Sequence, residues 1–178
     1  PKKWVIGGGS AVGGWDHLKV LMAAKEYGIS NVRKIKYVSF DGGGDAVTQL
    51  LAGNVQIFTG DVSEIKGFVD AGDIKIIAVL SPDRLPGDFS KFYTAKEQGV
   101  NVVGANWRGF YVPKGMSDDA YNFWAGAIKK MYDTPQWKKT MAKNGLAPLD
   151  LSGKAFEGFV ANSVASIQTI SKQIGIIK

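Results

Sequence analysis

The residues of this chain that could do chemistry sit where strands hand over to helices. Gly7-Gly8-Gly9-Ser10-Ala11-Val12-Gly13-Gly14 lies between a β-like run, Lys3 to Ile6, and a helical run starting near Asp16; Asp41-Gly42-Gly43-Gly44-Asp45 occupies the same context further on. Both are helix entrances rich in backbone and poor in side chains. That layout binds anions, because the first N–H groups of a helix lack intrahelical partners and the macrodipole is positive there. Ser10 adds a hydroxyl, and Trp15 and His17 follow on the entering helix. Asp41, Asp45 and Asp61 fall on the same edge as helix caps, as loop-bracing acceptors or as partners for a ligand amine. Trp107 and Arg108 pair a flat wall with a guanidinium fork suited to carboxylate, or a buried indole with an Arg strut to an acid.

Several enzymatic readings fail on these residues. A P-loop needs Lys-Ser/Thr after its last glycine, whereas Gly14 is followed by Trp15-Asp16. The dinucleotide fingerprint is broken after Gly9, with Asp41 its one supporting feature. Ser10 lacks the flanking glycines of a nucleophile elbow. With one histidine and no cysteine, neither a catalytic triad nor a multi-histidine metal centre can be built. The three acids have no calcium-loop spacing. His17 reads as a first-turn residue packed against the loop, with direct ligand contact as the sharper alternative. The expectation is no catalytic residue, no metal and no cofactor.

The elements that must position these groups repeat three times. Each unit is a short β-branched run, a small-residue loop, an amphipathic helix and a closing glycine. The first carries Leu18, Leu21, Met22 and Tyr27 and closes at Gly28; the second runs from Ile35 to Phe40, carries Ala46, Val47, Leu50 and Leu51, and closes at Gly53. The third starts at Val55, turns at Thr59-Gly60-Asp61, carries Ile65, Phe68 and Val69, and closes at Gly72. Glycine there supplies the left-handed residue that ends a helix. Strands alternating with helices imply an α/β fold with a mostly parallel sheet flanked by helices, with all three loops on the edge where ligands bind. The run 74–80 is expected to be a central fourth strand, and Val102-Val103 and 107–112 to be further strands. Three helices follow, capped by Ser117 or Asp118, by Thr134 ahead of Pro135, and by Ser152. The last bears a stripe of Phe156, Phe159, Val160, Ile167, Ile170 and Ile174, either core or partner surface.

At 178 residues and 45% hydrophobic content the chain can build one good core or two small lobes. No run approaches the roughly 20 apolar residues of a membrane span, so no membrane insertion is expected. No secretory leader opens the sequence, which begins directly at a strand, as expected of a piece of something longer. The net charge of +6 comes without an aromatic-interleaved basic stripe, which argues against nucleic acid as a partner.

Taken in order, the sequence resembles the tripartite tricarboxylate transporter substrate-binding proteins, the Bug family of bacterial periplasmic receptors. The matching pieces are Ile6 to Leu18, Tyr37 to Ala46 leading to Leu50-Leu51-Ala52-Gly53-Asn54-Val55, and Val69 to Val79. Lys96-Glu97-Gln98-Gly99, Asn106 to Gly115, Thr134-Pro135-Gln136-Trp137 and Asn144 to Pro148 complete them, so the likeness covers essentially the whole chain. The resemblance implies a type II periplasmic-binding-protein-like lobe that holds a carboxylate in a cleft and presents the closed form to permease subunits in the membrane, from the periplasm. It places a second ligand-binding lobe at 1–105, and at 106–178 a hinge return strand and C-terminal helices that would pack on a first lobe. Asp41 departs from the pattern, standing where the family commonly has a basic residue, which moves amino-acid or monocarboxylate ligands up.

On that footing Ser10, Gly13, Gly14, Trp15, Gly42, Gly43 and Asp45 would present amides and hydroxyls to a small carboxylate. Asp61 and Ser63 would border the pocket and Trp107 or Arg108 would lie at the hinge. Gly43→Val is expected to block close backbone approach of the ligand. A ligand-sensing lobe for a regulatory partner and a dinucleotide-binding enzyme domain are the alternatives. Bare apolar helices are expected to make the chain self-associate.

Overall fold

Side-chain-poor strands can lie in the middle of a sheet only if neighbours cover them, and the computed structural model, which describes residues 4–177, shows how that happens here. Three parallel strands, β1 (Val5–Gly8), β2 (Lys36–Ser39) and β3 (Ile57–Thr59), run in the order β2-β1-β3. Register places Gly8 beside both Ser39 and Thr59. The three loops therefore leave the sheet side by side, each into its own helix: α1 (Trp15–Glu26), α2 (Gly43–Leu51) and α3 (Val62–Ala71). Lys3, expected in the first strand, lies outside the described residues.

Each helix ends near its expected glycine, and Gly28, Gly53 and Gly72 all have positive φ. Leu18 and Leu21 of α1 pack with Val32 and Ile174 into the core, with Trp15, Ile167 and Ile170 against them. Burying such side chains contributes about 1.5–3 kcal/mol each. The C-terminal helices are α4 (Asp118–Asp133), α5 (Pro135–Lys143) and α6 (Gly153–Gln173). Ser117 Oγ accepts from the Ala120 N–H at 3.3 Å, and Thr134 Oγ1 from the Trp137 N–H at 3.1 Å with Pro135 at N1, as their sequences predict. The stripe on α6 divides: its far end is core on α1, while Phe156 and Phe159 at its start pack on Trp107.

Four expectations need correction. The run 74–80 is not a central strand: it forms a single isolated bridge, Val79 with Thr94, flanked by backbone bonds of Val79 to Tyr93 and Ala95 and of the Leu80 carbonyl to the Gly104 N–H. Continuous apolarity there reflects a run facing a broad apolar hollow, not a run paired on both sides. Val102-Val103 and 107–112 are likewise outside any ladder; side-chain packing holds the second segment. Ser152 precedes α6 without a side-chain capping bond, and the Tyr121 hydroxyl accepts the Gly153 N–H at 3.1 Å instead. Asp41 does not cap α2, whose N-cap is Gly42 at φ 128°.

Candidate functional site

The first loop is held by its own side chains. Ser10 Oγ accepts from the Asp16 N–H at 2.9 Å, and the Ser10 carbonyl accepts from the Tyr37 hydroxyl at 2.7 Å. The Gly13 N–H donates to His17 Nδ1 at 3.0 Å and the Gly14 N–H to the Ala11 carbonyl at 2.7 Å. His17 is 6% exposed and stacks on Tyr37 with ring centroids 4.6 Å apart. Burial lowers its pKa, which favours the neutral ring that Nδ1 needs to accept. Its geometry is that of the residue packed against the loop. Trp15 turns toward the Leu18–Leu21 core. Two of the amides expected to meet a ligand are thus occupied internally, while Ser10 keeps its own O–H as a donor.

The first two loops close on each other. A Cβ at Gly9 would fall 2.6 Å from the backbone of Gly42 and Gly43, and one at Gly43 would fall 2.2 Å from the Glu64 carboxylate. That carboxylate also accepts the Asp61 N–H at 2.9 Å. The chain therefore places its own carboxylate against the first residue of α2, where the sequence pointed to a ligand's. Sequence reasoning missed Glu64. Its position three residues after Asp61, a capping-box spacing, was the available signal. Asp41 and Asp45 are exposed on this edge.

The third loop meets the segment 106–109 through side chains. Asp61 accepts from Asn106 Nδ2 at 3.2 and 3.3 Å and pairs with the Arg108 guanidinium. Alternation along the extended segment puts Asn106 and Arg108 on Asp61, and Trp107 on the other side, edge-on to Phe156 and Phe159 at 5.6 and 5.5 Å. The Arg strut and Asp acceptor anticipated from sequence are both present.

Asp61, Ser63, Trp107 and Arg108 line a hollow of about 2490 Å³ between the sheet edge and the C-terminal helices. Ser10, Gly13, Gly14, Trp15, His17, Asp41, Gly42, Gly43 and Asp45 do not line it. The thirteen candidates therefore fall into two groups: nine in the two mutually closed glycine loops, four on the hollow. Among the described residues no cluster of three His, Cys, Asp or Glu could hold a metal ion. None of the described helices is long and apolar enough to cross a membrane.

A parallel sheet whose three loops share its carboxyl edge, the third of them opening onto a wide hollow, is the form of a solute-binding lobe. The chain belongs to the tripartite tricarboxylate transporter family receptors, whose family model matches residues 7–176. Members of that family are solute-binding proteins and not enzymes, which removes the dinucleotide-enzyme alternative. The chain is similar to the UPF0065 protein in the gbd 5′ region of Cupriavidus necator, 23% identical over 162 residues, covering 91% of this chain and 48% of that protein. It shares its fold with an R. palustris protein solved with adipate, at TM-score 0.87 and 22% identity over 98% of this chain and 57% of that one. The periplasmic binding protein BugD also shares it, at TM-score 0.83 and 20% identity over 97% of this chain and 57% of BugD. The chain thus spans about half the length of the Cupriavidus relative.

Proposed function

We propose that this chain forms a ligand-binding lobe of a periplasmic receptor that takes a small carboxylate and delivers it to the membrane permease of a tripartite tricarboxylate transporter. The observation that carries the reading is the Asp61–Arg108–Asn106 cluster, at the carboxyl edge of three parallel strands and open to the hollow. Residues 1–105 would supply the second ligand-binding lobe, and 106–178 would return across a hinge to helices whose apolar faces pack on a first lobe. Adipate in the R. palustris relative makes dicarboxylates the first class to try. Binding would favour the closed pair of lobes that the permease reads.

A thermal-shift screen of the full-length protein against dicarboxylates, tricarboxylates, amino acids, aromatic acids and nucleotides tests this, since ligands of the native state raise the melting point by mass action. A shift with one carboxylate class supports the reading. A shift with nucleotides alone would overturn it. The isolated 178-residue chain, with Phe110, Phe123 and Trp124 exposed, is expected to self-associate with a second copy; a concentration-independent monomer by light scattering opposes that.

A further inference from the structure

Lys19 is the buried charge that nothing so far explains. It sits one turn into α1, 4% exposed, with its ammonium 2.9 Å from Asp16 Oδ1, its ionic partner among the described residues. Room for its stem is made by Gly104, where a Cβ would fall 2.8 Å from Lys19 Cγ and 3.4 Å from Leu80 Cδ1. Gly104 is itself tied to Leu80, its N–H donating to the Leu80 carbonyl at 2.8 Å. Lys19 nevertheless lines the hollow, together with Thr59, Asp61, Asn106 and Arg108.

Donors outnumber acceptors on this wall. An ammonium carries three N–H groups and one faces Asp16; a guanidinium carries five and Arg108 directs one nitrogen to Asp61. Both Asp61 oxygens are already accepting, from Asn106 and Arg108. The group that complements these surplus charged donors is an anion. A buried Lys–Asp pair is also a poor stability device, because desolvating the two charges offsets much of their attraction.

We propose that Lys19 is the charged anchor for the anionic head group of the ligand, with Asp16 holding its ammonium in position while the site is empty. This rests on the receptor reading above and assigns its central cation to a residue outside the glycine loops. The ligand's carboxylate would take the N–H groups that Asp16 leaves.

Calorimetric titration of the full-length protein with adipate, succinate and citrate, beside its unfolding midpoint, provides the test. Lys19→Met keeps the stem and removes the charge; it is expected to lower the midpoint, because the Asp16 carboxylate loses its ionic partner, and to weaken the best-bound acid at least about tenfold. Asp16→Asn removes the internal competitor and is expected to leave affinity equal or tighter. Unchanged affinity in a folded Lys19→Met protein overturns the assignment while the receptor reading stands, as does an Asp16→Asn protein that binds more weakly. Should Lys19→Met fail to fold, Lys19→Gln is measured by the same criterion. A wild-type protein that binds none of the three acids overturns the anchor as stated, and the broader thermal-shift panel then decides the receptor reading.

Discussion

The first two glycine loops and the third loop are alike in sequence context, yet they are built differently. Gly9 meets Gly42 and Gly43 backbone to backbone, and Ser10, His17 and Tyr37 consume the polar groups around them. The third loop meets residues 106–109 through Asp61, Asn106 and Arg108, whose charged ends remain beside open volume. Glycine at a helix entrance can be a steric solution to crowding as readily as an invitation to a ligand. The packing also has two extremes, a closed core around Leu21 and, on the C-terminal helices, Phe123 and Trp124 left bare.

The largest effect that could break this comparison is in the core. Leu21 is 0% exposed, and Leu21→Ala should cost about 2–5 kcal/mol in urea unfolding, while Phe123→Ala, at 68% exposure, should change the stability of the dilute monomer by less than about 0.5 kcal/mol. Equal losses would mean that the C-terminal face is covered in solution. Next, Gly9→Ala must push its Cβ into backbone and should cost about 1–3 kcal/mol, whereas Gly126→Ala inside α4, with open space around it, should stabilise by about 1 kcal/mol. The same sign for both would contradict the closed-loop description.

Thr134→Ala removes the acceptor for the Trp137 N–H and should lower stability by about 1 kcal/mol, read from the shift in denaturant midpoint. The smallest effect expected is a pH dependence in the first loop. Burial holds the His17 pKa below the usual 6.5, so the unfolded chain binds more protons between the two values. The neutral ring's contribution is therefore complete above about 6.5 and is lost as pH falls toward the folded-state value. Protonation would also remove the acceptor for the Gly13 N–H. The difference in unfolding free energy between the wild type and His17→Gln should shrink across that interval; a flat difference would show that His17 titrates alike in both states.

Much of the lobe was legible. Local periodicity and the closing glycines located three strand–loop–helix units, because those signals act within ten or so residues. The same reasoning misjudged 74–80, where an apolar run lies beside a hollow and forms a single isolated bridge, at Val79. It named Asp61 and Arg108 without knowing that they join, since 47 residues separate them. It passed over Lys19 and Glu64, because a lysine or glutamate within an amphipathic helix looks like a solvated face until the partner element is known.

What the sequence determined by itself was the alternation of elements, the loops on one edge of a parallel sheet and the family to which they belong. Only the tertiary structure decided which loops were spent on each other. A glycine's lack of a side chain marks a close approach, but whether the approaching group is backbone, a resident carboxylate or a ligand depends on chain segments brought together from far apart in sequence. The burial of Lys19 beneath Gly104 and the meeting of Asp61 with Arg108 were decided at that level too, because charge at a site is set by which groups share a space after folding.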